Sequence, residues 1–115
     1  MNLRILLFHF FLALTLCFNA QLSDNFSDGD FTQNPVWQGS TGDFIVNGTG
    51  ELQLNSVLAG ASYVSTPHLL SNLTNKEWQI KVRQTFSPSS SNFGKVFLTA
   101  DNSDMNLVQN GYYLL

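Results

Sequence analysis

Short runs in which apolar and polar residues alternate dominate the chain beyond residue 20, and clusters of Asn, Gly, Ser and Thr separate them. The longest run covers residues 78–86, where apolar side chains fall on one face and polar side chains on the other. A period of two is typical of a β-strand with one buried and one solvated face. Because this region has no amphipathic helix of ordinary length, we predict an all-β fold. The apolar face of the longest run carries Trp78, Ile80, Val82 and Phe86.

Several shorter runs have the same character and predict further strands. Two of them flank the sequence Asn47-Gly48-Thr49-Gly50, whose Asn-Gly pair favours the tight turn of a β-hairpin. Short strands at close spacing, with turn residues between them, indicate an antiparallel β-sandwich or jelly roll. The shorter predicted strands are residues 43–46, 51–55, 62–65, 95–101 and 112–115, and residues 87–92 are predicted as a solvent-exposed loop.

Residues 1–20 have the pattern of an export signal. A positive start at Arg4 precedes an almost entirely apolar stretch, residues 5–18, and Ala20 leads into a polar run. The apolar stretch is about 14 residues long, which is too short to span ~30 Å of hydrocarbon comfortably. We therefore predict a signal peptide over residues 1–20, no membrane span once it is removed, and a secreted or outer-surface location. A second interpretation makes Cys17 the lipidated residue of a lipoprotein.

The composition of residues 21–115 excludes several classes of protein. Eight carboxylates outnumber four basic side chains, which excludes a nucleic-acid binder that relies on phosphate contacts. The region has no Cys, so it is not a disulfide scaffold, and its aromatic residues are numerous enough to build a core. We expect one domain over residues 21–115, which forms the N-terminal part of a β-sandwich.

The apolar run at residues 112–115 bears on where that sandwich ends. An apolar edge strand with no partner is usually avoided in natural sheets. We therefore expect the sandwich to be incomplete at the C-terminus. The alternative is that this run pairs centrally and closes the fold.

The first residues of the domain resemble the start of a known family. Residues 24–31, Asp-Asn-Phe-Ser-Asp-Gly-Asp-Phe, followed by Pro35-Val36-Trp37, resemble the opening of a concanavalin A-like jelly roll. More narrowly, the chain resembles the N-terminal region of large secreted proteins of Bacteroidota, which often carry lamin-tail or gliding-motility-associated domains downstream. The resemblance implies a jelly-roll fold and export rather than an activity. The narrower resemblance covers residues 21–31, 62–67, 78–91 and 110–114.

Residues suited to catalysis are sparse beyond residue 20. Glycoside hydrolysis, the obvious reaction on a jelly-roll fold, needs two carboxylates that flank the scissile bond. Glu51 and Glu77 are each isolated from other acidic residues on the same strand face. His68 is the only His of this region, and no Gly-x-Ser-x-Gly elbow or Cys nucleophile accompanies it. One His without Cys also excludes a tetrahedral zinc site. We therefore predict no catalytic residues and no enzyme activity in this region.

Calcium is the one metal ion that the sequence leaves open. Two groups of Asp residues, in 24–30 and 101–104, offer the hard oxygen ligands that Ca²⁺ prefers. In the alternative interpretation these side chains cap local backbone amides in turns. No other cofactor is indicated. The candidate calcium ligands are Asp24, Asp28, Asp30, Asp101 and Asp104.

Aromatic side chains at a surface bind sugars by stacking, and three residues are candidates for this role. Tyr112 and Tyr113 are adjacent, so one of them must face outward if they lie in a strand. Trp37 lies near a turn and is the third candidate. Trp78, on the apolar face of its predicted strand, is expected in the core instead.

Two functional hypotheses follow from these observations. The first is a non-catalytic module of a larger secreted or cell-surface protein, which serves in adhesion, in carbohydrate contact or as a spacer. Its partners would be carbohydrate or other surface proteins. The alternative is the accessory front part of a secreted glycan hydrolase or nuclease whose catalytic region lies beyond residue 115. Since a fold alone does not identify a ligand, carbohydrate enters here by analogy.

Overall fold

Six short strands and one turn of 3-10 helix form the regular structure of residues 22–107 and 109–115, which the computed structural model describes. Every strand pairs antiparallel with one other, so these residues form an all-β structure with almost no helix. The predicted signal peptide lies outside the described residues. In chain order the elements are β1 (Gln38–Gly39), the 3-10 turn (Thr41–Asp43), β2 (Phe44–Val46), β3 (Leu52–Leu54), β4 (Val64–Ser65), β5 (Val96–Ala100) and β6 (Gly111–Leu114).

The strands make three two-stranded sheets, in which β1 pairs with β4, β2 with β3 and β5 with β6. The antiparallel all-β part of the sequence prediction is thereby confirmed for the described residues. The β-sandwich and jelly-roll arrangement stays a prediction. None of the helical structure in residues 22–107 and 109–115 has the length and apolar content that crossing a membrane requires.

The β2–β3 hairpin forms where the turn sequence predicts it. Asn47 organises the turn, because its Oδ1 accepts hydrogen bonds from the backbone amides of Thr49 (3.0 Å) and Glu51 (3.1 Å). The amide of Gly50 donates to the Asn47 carbonyl at 2.9 Å. Gly50 has a φ of +73°, a conformation that glycine adopts at little steric cost. The turn residues therefore set the register that places Val46 opposite Leu52.

The β5–β6 hairpin is the longest pairing and contains two predicted strands. Phe97 pairs with Tyr113, and a β-bulge shifts the register before Thr99. Thr99 then pairs with Tyr112. The bulge gives β5 one residue that β6 does not match, which locally increases the twist of the ladder.

Asp101 closes the loop between β5 and β6. Its carboxylate accepts hydrogen bonds from the side-chain Nδ2 of Asn110 (2.7 Å) and from the Asn110 backbone amide (2.9 Å). The Asp101 amide donates in return to the Asn110 carbonyl at 3.0 Å. Gly111 follows, and an added Cβ at that position would clash with the carbonyl oxygen of Thr99. A glycine at residue 111 therefore lets β6 approach β5.

In the β1–β4 pair, the sequence predicts β4 but does not predict β1. Residues 62–65 contain β4, as expected, but the pattern around Gln38 gives no strand signal. Gly39 has a φ of +119°, and an added Cβ there would lie 2.6 Å from the ring of Tyr63. The amide of Ser40 donates to the Tyr63 carbonyl at 2.8 Å. The contact with Tyr63 therefore explains the glycine and holds β1 beside β4.

The prediction of a strand over residues 78–86 is wrong. The segment belongs to no strand, and no backbone hydrogen bond joins it to another segment among the described residues. Trp78 is half-buried rather than in a core, and its indole N–H donates to the Leu98 carbonyl at 3.0 Å. Near the other end, an added Cβ on Gly94 would lie 3.2 Å from Nε2 of Gln84. The segment therefore contacts β5 at one end and lies near Gly94, which precedes β5, at the other, without a ladder. Its exposed apolar side chains are Ile80, Val82 and Phe86.

Burial in the described residues is concentrated at one aromatic side chain. Phe31 is 9% exposed and is the buried apolar residue of this part of the chain. The backbone amide of Trp37 donates to the Phe31 carbonyl at 2.9 Å, so the two ends of the loop that precedes β1 are joined. Much of the apolar surface of the strands is consequently open to solvent.

Candidate functional site

Four side chains around the start of β5 form what we call the lysine–aromatic cluster: Phe93, Lys95, Phe97 and Tyr113. The three residues that come from one segment are two positions apart, a spacing that places them on one side of an extended chain. Tyr113 joins them because it pairs with Phe97 across the β5–β6 ladder. The two paired rings have centroids 5.3 Å apart and planes inclined by 49°. The hairpin register therefore assembles the cluster.

The ammonium group of Lys95 lies over all three rings. Its Nζ is 4.5 Å from the ring centroid of Tyr113, 5.5 Å from that of Phe97 and 5.9 Å from that of Phe93. A cation within about 6 Å of a ring centroid is attracted by the negative face of the ring. At exposed sites each such contact contributes about 0.5–1 kcal/mol. The rings consequently hold the charge of Lys95 at one place on the surface.

The cluster is accessible to a ligand. The side chains of Phe93 and Tyr113 are 51% and 48% exposed, and Lys95 is exposed as well. Exposed ring faces offer apolar contact area with a defined orientation, and the ammonium offers three hydrogen-bond donors. The cluster can therefore stack against a flat apolar face and pair with a polar or charged group beside it.

Tyr112, one of the predicted ligand-contacting residues, lies on the other side of the hairpin from Tyr113. Adjacent residues of a strand point to opposite faces, and both rings are exposed, Tyr112 at 66%. Tyr112 borders a shallow depression formed by the ends of β5 and β6 around Asp101 and Asn110. The sequence requires only that one of the two tyrosines face outward, and the structure exposes both.

Trp37, the third predicted ligand-contacting residue, is held within the N-terminal loop. Its indole N–H donates to Oδ2 of Asp24 at 2.8 Å, and its ring centroid is 6.0 Å from that of Phe26. The residue is half-buried. The structure does not bring Trp37 into the lysine–aromatic cluster, and its contacts indicate a role in ordering the loop.

The candidate calcium ligands of the N-terminal loop accept hydrogen bonds from nearby backbone amides. Asp24 accepts from the amide of Phe26 at 2.8 Å, and Asp28 accepts from the amide of Asp30 at 3.1 Å. Asp30 accepts from both the amide and the hydroxyl of Thr32, each at 2.7 Å. The hydrogen bond from the Thr32 amide, reinforced by the hydrogen bond from the Thr32 hydroxyl, lowers the pKa of Asp30 below its ordinary value. These side chains stabilise turns, as the alternative interpretation of the sequence describes.

The candidate ligands near β5 have local partners too. The side-chain amide and then the backbone amide of Asn110 lower the pKa of Asp101. The backbone amide of Asn106 lowers the pKa of Asp104, and a hydrogen bond from the Tyr63 hydroxyl adds to that effect. Burial, followed by the nearby Asp104, raises the pKa of Tyr63. In residues 22–107 and 109–115 no three acidic, His or Cys side chains converge on a point where a metal ion could bind. A calcium site stays a prediction.

The isolated carboxylates and the His of the domain have ordinary polar partners. Glu51 pairs with Lys81, whose Nζ is 3.9 Å from Oε1, and makes a closer contact with Arg83. Oε1 of Glu77 accepts a hydrogen bond from the side chain of Gln79 at 2.7 Å. Nδ1 of His68 accepts from the Leu70 amide at 3.2 Å, which leaves Nε2 to donate to Oγ1 of Thr99 at 3.3 Å.

Of the cluster, only Tyr113 is a candidate from the sequence. Phe93, Lys95 and Phe97 follow one another at intervals of two, a signal that predicts a shared face. That signal does not identify the aromatic partner across the ladder, because the pairing register includes a bulge.

No protein-family model, no curated protein and no solved structure matches this chain.

Proposed function

We propose that this chain is a non-catalytic β module of a secreted or cell-surface protein, and that it contacts carbohydrate through the lysine–aromatic cluster. Two exposed rings and a positioned ammonium group on one face of the β5–β6 hairpin support this proposal most directly. Sugar rings present a C–H face that packs on aromatic rings and hydroxyl groups that accept hydrogen bonds from an ammonium. The cluster supplies both kinds of contact within one site.

The secreted location and the fold of the module are part of the same proposal. The signal-peptide pattern of residues 1–20 supports export. Antiparallel pairing of all six strands and the resemblance to the concanavalin A-like opening support a β-sandwich, as in the large exported proteins of Bacteroidota. In such a protein this module serves adhesion or spacing, and other surface proteins are further partners.

Affinity electrophoresis of the chain in gels that contain single polysaccharides tests the proposal. We expect at least one polysaccharide to retard the wild-type chain, and Tyr113→Ala to weaken that retention about tenfold, which is ~1.4 kcal/mol. Tyr112→Ala is the matched control, since it removes the same side chain from the opposite face of β6. It should keep wild-type retention.

Two results would contradict the proposal. The first is a wild-type chain that no neutral or acidic polysaccharide in the panel retards. The second is an equal loss of retention in Tyr112→Ala and Tyr113→Ala, with both variants keeping the circular dichroism spectrum of the wild type. That result would mean that the lysine–aromatic cluster is not the contact surface.

A further inference from the structure

The charge of Lys95 lacks an acidic partner in the described part of the chain. The ion pairs there join Glu51 to Lys81 and Arg83, and none includes Lys95. The rings around Lys95 attract its charge, and its three ammonium N–H groups make no hydrogen bond to an acceptor of the described residues. An oxyanion would accept these protons in charge-assisted hydrogen bonds, which are stronger than bonds to neutral oxygen.

The charge of Lys95 also argues against a cationic ligand. Rings grouped in this way attract ammonium groups, but Lys95 already brings a positive charge to 4.5 Å from the ring centroid of Tyr113. A second cation would be repelled by that charge at short range. A ligand that brings a negative charge avoids this repulsion.

Negative charge elsewhere on the chain acts against such a ligand over longer distances. The whole chain has a formal net charge of −3, which opposes a polyanion at long range. Asp101 is the nearest acidic residue that follows Lys95 in the sequence, and an extended strand of that length spans about 20 Å. Exposed charges are screened over about 8 Å at physiological ionic strength, so carboxylates farther than that from Lys95 act only weakly on a ligand at the cluster.

We propose that the ligand of the lysine–aromatic cluster is a polysaccharide of uronic acids. The sugar ring stacks on the exposed rings of Tyr113 and Phe93, and its carboxylate accepts hydrogen bonds from Nζ of Lys95. This inference rests on the proposed function and adds the charge of the sugar. It requires that the carboxylate, rather than the sugar ring alone, determine which polysaccharide binds.

Polygalacturonate and its fully methyl-esterified form test this requirement, because esterification removes the carboxylate charge and leaves the sugar ring and its linkages unchanged. Binding of the full chain to each polymer is measured by affinity electrophoresis at physiological salt. We expect polygalacturonate to bind about tenfold more tightly than its ester, the size expected for one hydrogen bond to a charged group.

Variants at Lys95 assign that difference to a residue. Lys95→Gln should bind both polymers equally, whereas Lys95→Arg keeps the charge and should keep the preference. Lys76→Gln is the matched control, because it removes one exposed basic charge outside the cluster and should bind as the wild type does. Circular dichroism of each variant verifies that the hairpin still folds.

The outcomes separate this inference from the proposed function. Equal binding of the two polymers by the wild-type chain would overturn the uronic-acid ligand and leave a neutral carbohydrate site. A preference that Lys76→Gln loses as fully as Lys95→Gln would also overturn it, since the effect would then be one of net charge. Failure to bind either polymer, together with every other polysaccharide tested, would overturn both proposals.

Discussion

At the scale of single residues, polar side chains that bind neighbouring backbone amides determine much of the local structure. Asn47 is the best example, because its one side chain makes hydrogen bonds in both directions. Oδ1 accepts from the amides of Thr49 and Glu51 and from the Thr49 hydroxyl, while Nδ2 donates to Oε1 of Gln53 at 3.0 Å. Such bonds give the backbone a turn conformation in place of a longer strand.

Replacement of Asn47 by Ala should therefore destabilise the β2–β3 hairpin. The change leaves the amides of Thr49 and Glu51 without their acceptor, and we expect a loss of about 1–2 kcal/mol in the free energy of unfolding. Urea denaturation of the two proteins measures this difference. Asn55→Ala is the control, since the side chain of Asn55 makes no hydrogen bond in the described structure, and it should change the stability by less than about 0.5 kcal/mol. Equal losses in both variants would show that Asn47 does not organise the turn.

Turns can be predicted from the sequence because each of their hydrogen bonds joins residues only a few positions apart. The bonds from Asp28 and Asp30 to amides two positions away are those that the turn interpretation of the acidic residues describes. The bond between Trp37 and Asp24 is different, since it joins residues 13 positions apart. Trp37 is therefore a surface candidate from the sequence, because no local pattern shows that its indole N–H already has a partner.

At the scale of elements, the turn residues account for the two hairpins. The strand predicted at residues 78–86 does not form, because the segment has no neighbour joined to it by backbone hydrogen bonds in the described structure. Residues 44–54 and 96–114 contain turns that bring two alternating runs together. Residues 78–86 have the stronger alternation, but alternation specifies only which face is apolar. A strand also needs backbone hydrogen bonds to a neighbour, and that neighbour is a property of the tertiary structure. Beside this segment, β5 pairs with β6 instead.

The β5–β6 hairpin should weaken in acid through Asp101. Hydrogen bonds from Asn110 lower the pKa of Asp101 in the folded chain, so the folded state binds protons less readily than the unfolded state. The resulting stabilisation is present above the unfolded pKa of about 3.9 and is lost as the pH falls through the lower folded value. NMR signals of the Tyr113 amide, followed from pH 7 downward, report this loss.

Asp101→Asn supplies the comparison for this titration. The variant keeps an acceptor for the Asn110 amide but has no carboxylate at residue 101 to titrate, so its Tyr113 signal should lack the part of the acid transition that Asp101 causes. Acid effects from Asp30 and Asp104 remain in both proteins and cancel in the comparison. Identical titration curves for the two proteins would contradict a role of Asp101 in holding the hairpin.

At the scale of the whole molecule, the pairing register of β5 and β6 determines which side chains meet in the lysine–aromatic cluster. The sequence predicts that one of the adjacent Tyr112 and Tyr113 faces outward, and the structure exposes both. The association of Tyr113 with Lys95 depends on a ladder that crosses a loop and includes a bulge, and no local pattern encodes that register. Tyr113 is therefore a candidate from the sequence, whereas Phe93, Lys95 and Phe97 become part of the site only through the tertiary structure.

Phenylalanine side chains of the described residues differ widely in burial, so the same truncation should have different costs at different positions. Phe31 is 9% exposed, whereas Phe86 is 43% exposed in the segment that the sequence predicts as a half-buried strand. Truncation of a buried Phe to Ala removes its transfer free energy and leaves a cavity, at a cost of about 3 kcal/mol or more. The same truncation at an exposed position usually costs about 0.5 kcal/mol or less. We therefore expect Phe31→Ala to destabilise the chain strongly and Phe86→Ala to destabilise it little.

Urea denaturation of the full chain and both variants measures the two costs, and the identical chemical change makes each variant the control for the other. A native domain is stabilised by only about 5–15 kcal/mol, so the loss at Phe31 should visibly shift the midpoint of unfolding. Comparable losses at the two positions would mean that the face carrying Ile80, Val82 and Phe86 is covered in solution. In that case residues 78–86 would act as the half-buried strand that their alternation predicts, and β5 would be the neighbour to examine, because the indole of Trp78 already contacts it.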